Sequence, residues 1–332
     1  YNKELRLTVL VRDRVIGCLK GIATGDAIGK QTETLSYHDV VRWYPDGVRG
    51  FEGQPGAPIP RYVGNSKHEW RIGETTDDTE RTIAVARAIL KDGGVAHTSV
   101  GREMLACSKC VHPGVKSLWE FHDAGDPARI AQSHDGCGAA IRVAPVGVFY
   151  SSDSLDQIVA GARETSIPTH GGSLAIAAAA ATAAAVSAAI DGASAGVVLD
   201  FAERAARRAE QLWPSSAGPG FAEAVRGIHD DLKQWPALRP EEVADRYFPD
   251  HPLTIVPLAL ALGTVMQSAQ AAILLATNIG GDSDSVASIA GAILGARRPG
   301  SVNEEWYDVV EAVNRHQLLS LAKELAGLRQ RK

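Results

Sequence analysis

Residues 174–190, LAIAAAAATAAAVSAAI, contain no charged residue, and this stretch constrains the fold more than any other feature of the sequence. A membrane-spanning helix needs about 20 apolar residues, and alanine is only weakly apolar. Small side chains instead allow neighbouring helices to approach closely. We therefore predict a helix buried at the centre of a helical bundle rather than a membrane span.

Amphipathic helical periodicity dominates the rest of the chain, whereas the alternation typical of strands is scarce. Apolar residues at helical spacing begin at Val11 and run toward Gly25, where we expect the helix to break. A second helix is predicted over 79–90, because Asp92-Gly93-Gly94 supplies a stop signal. Further helical stretches are predicted near 98–108, 155–165, 196–212, 219–233, 254–277, 284–296 and 303–327.

The organisation of the chain indicates one domain. We see neither an internal repeat nor an interior linker, so we predict a single all-α domain over residues 1–332, built as an orthogonal bundle of many helices. Residues 44–74 are rich in glycine and proline, which predicts a long surface loop.

Charge and cysteine content exclude several classes of protein. The net charge of −5 gives no general attraction to nucleic acid or to anionic membranes. Four cysteines are too few for a disulfide scaffold, and the single C-x-x-C of Cys107 and Cys110 favours two thiols on or near a helix over a zinc site. The first residues lack a long apolar segment. We expect a cytoplasmic monomer without a membrane partner and without strong nucleic-acid binding.

Residues 75–80, TTDDTE, place the adjacent carboxylates of Asp77 and Asp78 between threonines. One interpretation is helix capping, because Thr76 or Asp77 can accept hydrogen bonds from the first free N–H groups. Asp77 and Glu80 also fit an Asp-x-x-Glu capping box, and acidic groups suit the positive end of a helix dipole. The other is a cation site, because carboxylates and hydroxyls are hard oxygen ligands. Taken alone, the stretch favours capping.

Residues 278–296, NIGGDSDSVASIAGAILGA, place acids at a second helix start, with Asp282 and Asp284 on either side of a serine. Two glycines before them let the backbone come close to a neighbouring group. A cap needs one oxygen, whereas the two clusters together offer four carboxylates, a set suited to Mg²⁺ or Mn²⁺. The cation interpretation requires that these clusters, far apart in the chain, meet in space.

A glycine-rich loop, SHDGCGAAIRVAPVG, occupies residues 133–147. Gly136 and Gly138 precede a helical stretch, so free backbone N–H groups there are suited to hold a phosphate. No G-K-[ST] follows, and the loop is therefore not a Walker loop.

Two shorter stretches are less specific. GIATGDAIGKQTE, residues 21–33, contains Asp26 and Glu33, which are either solvated acids of a glycine-rich turn or members of the same site. PTHGG, residues 168–172, contains His170, and a lone histidine is more often a structural hydrogen-bonding residue than a site residue.

Together the five stretches resemble the ADP-ribosylglycohydrolase family, which includes the dinitrogenase reductase-activating glycohydrolase and the ADP-ribosyl-arginine and ADP-ribosyl-serine hydrolases. The shared motifs occur in the same order, from G-D-A-x-G and T-D-D-T to T-H and G-G-D-x-D-[ST], over residues 14–296. The resemblance implies an all-α fold with two Mg²⁺ or Mn²⁺ ions at its centre and an ADP-ribosylated substrate.

The resemblance also implies roles for individual residues. The implied metal ligands are Thr76, Asp77, Asp78, Asp282, Asp284 and Ser285. The implied catalytic residues are Glu33, as the acid over the scissile bond, and Asp77. The implied substrate-binding residues are Asp26, Ser133, His134, Asp135, Gly136, Cys137, Gly138 and His170, with 136–138 on the phosphates and His170 on a ribose. Trp119 or Phe121 is our candidate for stacking on adenine.

The implied reaction is metal-dependent hydrolysis of the glycosidic bond between the distal ribose of ADP-ribose and an acceptor. The alternatives are a Mg²⁺-dependent ADP-ribose or nucleotide-binding protein without turnover, and a hydrolase of a free metabolite such as ADP-ribose 1″-phosphate. Intact Glu33 and intact ligand positions favour an enzyme. Cys137 stands where many family members have Asn, and Ser285 stands where Thr is common. The resemblance therefore constrains the identity of the substrate less than it constrains the type of reaction.

Overall fold

The computed structural model describes residues 2–64, 67–109, 134–215 and 220–329, which contain helices and no strand. The α-helices are α1 (Asn2–Gly29), α2 (Tyr37–Trp43), α3 (Asp77–Asp92), α4 (His97–Leu105), α5 (Gly138–Arg142), α6 (Ala144–Phe149), α7 (Leu155–Ser166), α8 (Ser173–Ile190), α9 (Ala195–Leu212), α10 (Phe221–Leu232), α11 (Pro240–Tyr247), α12 (Pro252–Val265), α13 (Ala269–Ile279), α14 (Ser283–Arg297), α15 (Glu304–Asn314) and α16 (Leu318–Gly327). Short 3₁₀ helices cover Pro60–Tyr62 and Pro299–Ser301. The predicted all-α class is confirmed.

The alanine-rich helix α8 lies in the core and packs against α5, α6, α7, α9 and α14. It is the one helix of the described residues that is long and apolar enough to cross a membrane, and 89% of its apolar window is buried inside the protein. Small side chains bring its neighbours close: a Cβ atom added to Gly147 of α6 would lie 2.2 Å from the backbone oxygen of Ala183. The prediction of a buried central helix agrees with this packing.

Helix α1 continues through Gly25, so the predicted break at that residue is wrong. Its glycines instead allow direct backbone contact with α14. Cβ atoms added to Gly17, Gly21 and Gly25 would lie 2.1–2.4 Å from backbone oxygens of α14. The two helices run antiparallel, because Gly17 faces Gly295 whereas the last residue of α1 faces the start of α14. The carboxyl end of α1 therefore lies beside the amino end of α14.

Two predicted helices are each divided in the structure. The stretch 254–277 separates into α12 and α13, and the hydroxyl of Ser268 caps the second by accepting from the N–H of Ala271. The stretch 303–327 separates into α15 and α16, with Arg315 and Gln317 both at φ 57° between them. Apolar periodicity continues through both breaks, because both halves bury a face against the same core.

The predicted surface loop at 44–74 is partly buried. Ile59, Tyr62 and Ile72 form a small apolar cluster, with Trp70 packed against it. An isolated antiparallel bridge between residues 58 and 71 closes the base of this segment. The apolar side chains of this segment thus pack against one another and form a small core of its own.

Gly21→Ala tests the contact between α1 and α14. The added methyl group meets backbone atoms of Gly291 at 2.1 Å. Backbone cannot move aside as a side chain can, so we expect a loss of about 3 kcal/mol or more in the free energy of unfolding, measured by denaturant titration.

Gly227→Ala in α10 is the matched control, because a Cβ atom there meets nothing within 4 Å. It should stabilise the protein by about 0.5–1 kcal/mol, the usual gain of alanine over glycine in a helix. Equal stability of the two variants would contradict the close contact.

Candidate active site

Three parts of the chain that carry acidic residues surround one cavity of about 240 Å³. They are the segment after α1, the start of α3 and the start of α14. The cavity is lined by Glu33, Asp77, Asp78, Arg81, His134, Gly136, Cys137, Gly138, Ile141, Thr169, His170, Asp282, Asp284 and Ser285. The two acidic clusters are in direct contact, since the hydroxyl of Ser285 donates to Asp78 Oδ2 at 3.2 Å.

Asp26 of α1 holds the first turn of α3. Its Oδ2 accepts hydrogen bonds from the N–H groups of Thr76 at 2.9 Å and Thr79 at 3.1 Å, and from the Thr79 hydroxyl at 2.5 Å. These N–H groups belong to the helix start and have no partner within the helix. Asp26 was predicted to bind substrate, but it is fully buried and does not line the cavity.

Asp26, Asp78 and Asp284 offer carboxylate oxygens that all lie within 4.8 Å of one another. All three side chains are buried, and Asp26 Oδ1 accepts no hydrogen bond within the described part of the chain. A buried carboxylate oxygen without a partner is unfavourable. A divalent cation supplies the missing partner, and an all-oxygen donor set suits Mg²⁺ or Mn²⁺. The residues present therefore fit a divalent metal.

Burial and mutual repulsion raise the pKa values of these carboxyl groups. Burial, opposed by its hydrogen bonds and assisted by the charge of Asp77, raises the pKa of Asp26 to about 6. Burial and then neighbouring carboxylates raise the pKa values of Asp78 and Asp284 well above the usual range. Negative charge is therefore concentrated without enough compensating positive charge, which a bound cation would supply.

The start of α3 combines both sequence interpretations. Thr76 is the N-cap, and its hydroxyl accepts from the N–H of Asp78 at 3.1 Å. The predicted capping box of Asp77 and Glu80 is wrong: Asp77 forms an ion pair with Arg81 at 2.9 Å, and Glu80 binds the segment at 108–109. The Thr76 hydroxyl and the Asp26 carboxylate together satisfy the helix start, so the side chains of Asp77 and Asp78 are not needed as caps, and both line the cavity.

The glycine pair before α14 has φ angles of 88° and 66°, in the region that favours glycine. These glycines allow close contact with the backbone of residues 34–35. The N–H of Gly281 donates to Leu35 O at 2.8 Å, and the N–H of Thr34 donates to Gly281 O at 2.7 Å. This double contact places Glu33 at the edge of the cavity, beside the start of α14.

The glycine-rich loop also lines the cavity, in contact with the second acidic cluster through Cys137 and Asp282. Within the described residues, the backbone N–H groups of 136–138 donate no hydrogen bond. The ring of His134 stacks on that of His170, with centroids 4.3 Å apart. A Cβ atom at Gly138 would lie 2.6 Å from the His170 ring, so only glycine fits there without displacing the ring.

Asp135 does not reach the cavity, contrary to its predicted role in substrate binding. Its Oδ1 accepts from the N–H groups of Leu174 at 2.9 Å and Ala175 at 3.2 Å, so it holds the start of the central helix α8. The predictions for Ser133, for adenine stacking by Trp119 or Phe121, and for Cys110 lie outside the described residues.

Sequence reasoning missed two charged side chains of the site. Lys30 forms an ion pair with Glu33, and Arg81 lines the cavity beside Asp77. The spacing of Asp77 and Arg81, four residues apart at the start of a predicted helix, was a usable signal for their contact. Lys30 and Glu33 are three residues apart, but they follow the predicted helix break at Gly25, so their spacing did not predict a helical pair.

Comparison with known proteins identifies the family. A model of the ADP-ribosylglycohydrolase family matches residues 7–332. The chain belongs to this family. An uncharacterised protein of Archaeoglobus fulgidus is 28% identical over 338 residues, covering 97% of this chain and 98% of that protein. ADP-ribosylhydrolase ARH3 of Bos taurus is 25% identical over 322 residues, covering 85% and 84% of the two chains.

A solved structure supports the fold. A chain of an ADP-ribosylglycohydrolase-related protein complex superposes with a TM-score of 0.72 at 23% identity, covering 96% of this chain and 99% of that one. An ADP-ribosylglycohydrolase fold thus places the acidic clusters of this chain around one cavity.

Cation binding should stabilise the protein in a pH-dependent way. In the cation-free protein the pKa of Asp26 is about 6 against its usual 3.8, so the folded state binds more protons than the unfolded chain between these values and loses stability as the pH rises through about 6. We expect Mn²⁺ or Mg²⁺ to raise the Tm more at about pH 7.5 than at about pH 5. At 100 times the Kd, the gain in unfolding free energy is about 2.7 kcal/mol.

Asp284→Asn should lose most of this cation-dependent gain, whereas Asp308→Asn on exposed helix surface should keep it. Thermal unfolding with added cation and with EDTA measures both. A wild-type Tm that is the same with cation and with EDTA at about pH 7.5 would contradict the metal site.

Cys137 should be unreactive in the folded protein. Its thiol donates to Asp282 Oδ2 at 3.1 Å, and burial followed by the carboxylate charge raises the pKa of the thiol well above its usual range. We expect iodoacetamide to alkylate Cys137 at least about tenfold more slowly than in the denatured chain, measured by peptide mass spectrometry. Rapid labelling would instead indicate a thiolate and would contradict a passive role.

Proposed function

We propose that this protein is a Mg²⁺- or Mn²⁺-dependent ADP-ribosyl hydrolase that cleaves the bond between the distal ribose of ADP-ribose and an acceptor. One observation carries the proposal. A single cavity is lined both by Glu33 and buried carboxylates and by residues 136–138, whose backbone N–H groups donate no hydrogen bond within the described part of the chain. Family membership and the name of the bovine relative support ADP-ribosyl hydrolase activity in general.

The carboxylates of Asp26, Asp78 and Asp284 would hold the metal, with Asp77, Asp282 and Ser285 of the cavity as further oxygen donors. Thr76, also a predicted ligand, caps α3 next to them. Two ions, as the family resemblance implies, are part of the proposal. Bound divalent cations supply positive charge that orients ribose hydroxyl groups and activates water at neutral pH.

The residues of the chain itself perform binding and proton transfer. The free N–H groups at 136–138 are suited to hold the pyrophosphate, because backbone N–H groups at the start of a helix attract anions. The stacked rings of His134 and His170 form the wall beside this loop, where a ribose would lie. Substrate is thus held at both its anionic part and its sugar part.

Glu33 is the group that moves a proton. As the glycosidic bond breaks, positive charge develops on the ribose, and a nearby carboxylate stabilises it. Glu33 would take the proton from attacking water, or give one to the leaving acceptor. Its position at the cavity edge is suited to a bond between a buried ribose and an acceptor outside.

The decisive assay compares substrates that carry ADP-ribose on arginine, on serine and on nucleic acid, together with ADP-ribose 1″-phosphate, with Mn²⁺ or Mg²⁺ present. Release of ADP-ribose from any macromolecular substrate supports the proposal. Turnover of the phosphate alone would assign the protein to a free metabolite, and binding of ADP-ribose without any turnover would assign it to the non-enzymatic alternative.

Glu33→Gln keeps the shape of the side chain and removes its charge. If Glu33 transfers the proton, kcat should fall by about 10²–10⁴, the usual contribution of a general acid or base. The affinity for ADP-ribose, measured by calorimetry, should change little. Glu304→Gln is the control, because Glu304 is exposed and, like Glu33, pairs with a lysine; this variant should keep wild-type kcat. Unchanged kcat in Glu33→Gln would remove Glu33 from the mechanism.

A further inference from the structure

Lys30, the first residue after α1, is a buried cation at the edge of the cavity. Its side chain is 8% exposed and its ammonium forms an ion pair with Oε2 of Glu33. Within the described part of the chain, Oε1 of Glu33 accepts no hydrogen bond. The two oxygens of the Glu33 carboxylate are therefore inequivalent, because Oε2 is bound by Lys30 and Oε1 is available to another partner.

Aromatic rings of the 44–74 segment hold the Lys30 ammonium in place. Nζ lies 4.1 Å from the centroid of the Trp70 ring and 5.6 Å from that of Tyr62. A cation is attracted to the face of an aromatic ring, and more strongly where water is excluded. Burial lowers the pKa of Lys30, but the carboxylates of Asp284 and Glu33 raise it by more, so the ammonium stays charged at neutral pH.

The backbone between Lys30 and Glu33 is also held on both sides. The Thr32 hydroxyl donates to Thr277 O at 2.6 Å, and the Arg61 guanidinium donates to the backbone oxygens of Gln31 and Glu33. This arrangement differs from an exposed surface pair, in which both side chains remain mobile and the interaction is weak.

We propose that Lys30 is a positioning residue for the reaction. Its ammonium, held beside the rings of Trp70 and Tyr62, binds Oε2 of Glu33. This leaves Oε1 as the oxygen that exchanges a proton with substrate or water. The inference rests on the proposed function and on the role of Glu33. Lys30 itself need not touch the substrate. Trp70 and Tyr62 then support the reaction indirectly, because they fix the ammonium.

Lys20 of α1 provides a matched control. Its Nζ lies 4.5 Å from the centroid of the Tyr307 ring and 2.6 Å from a carboxylate oxygen of Glu304, and its side chain is 14% exposed. Both lysines thus combine an aromatic ring with a glutamate, but only Lys30 pairs with a residue of the cavity. Lys20→Met should therefore keep kcat within about twofold of wild type.

A double-mutant cycle tests the proposal. Lys30→Met should lower kcat by about 10–100-fold and change KM by less than about threefold, because substrate contacts remain. In the Glu33→Gln background the same substitution should change the residual kcat by less than about threefold, because Lys30 acts through Glu33. Wild-type kcat in Lys30→Met, or an equal loss in both backgrounds, would overturn the proposal. Wild-type protein without activity on the substrate panel would instead contradict the proposed function.

A second measurement does not depend on activity. Crystal structures of the wild type and of Lys30→Met show where the Glu33 carboxylate lies, and Lys30→Gln replaces the methionine variant if that variant does not fold. We expect an ordered carboxylate paired with Lys30 in the wild type and a displaced or disordered one in the variant. A Glu33 carboxylate in the same place in both structures would overturn the positioning role.

Discussion

The backbone contact between α1 and α14 is the interaction on which the rest of the structure depends. Glycines of α1 remove the side chains that would otherwise separate the two helices, and the helices run antiparallel. Asp26, one residue after Gly25, is therefore fully buried beside the start of α14. From there it also orders the first turn of α3, so one close helix contact sets the position of both acidic clusters.

The resulting site is electrostatically unfavourable by itself. Asp26, Asp78 and Asp284 share a buried volume, and their raised pKa values reflect burial and repulsion. Lys30 offsets part of this charge from the Glu33 side. We propose that a divalent cation bound by these residues stabilises the fold and activates water for attack on the substrate, which would couple stability to function through the same carboxylates.

Much of the site was predictable, because its residues occur in compact motifs. The acidic clusters, Glu33, and the pair Gly136 and Gly138 were assigned to one site, and the structure brings them to one cavity, with Thr76 as a helix cap outside its lining. Asp26 and Asp135 were assigned to substrate, yet each binds the start of a helix. A motif shows which residue type is required, but a carboxylate can satisfy backbone N–H groups, a ligand, or, as proposed for Asp26, both, and only its surroundings decide which.

The sequence by itself determined the helical class, the buried alanine-rich helix and the residue types of the site, because these follow from local composition and periodicity. Only the tertiary structure decided that Gly25 lies within a continuous helix, that two apolar stretches are each divided, and that Lys30 binds Glu33. The helix features depend on contacts between residues far apart in the chain, and the Lys30–Glu33 pair, although local, is held by Trp70 and Arg61 of the 44–74 segment. A glycine that permits a close helix contact and a glycine that ends a helix look the same until the neighbouring helix is in place.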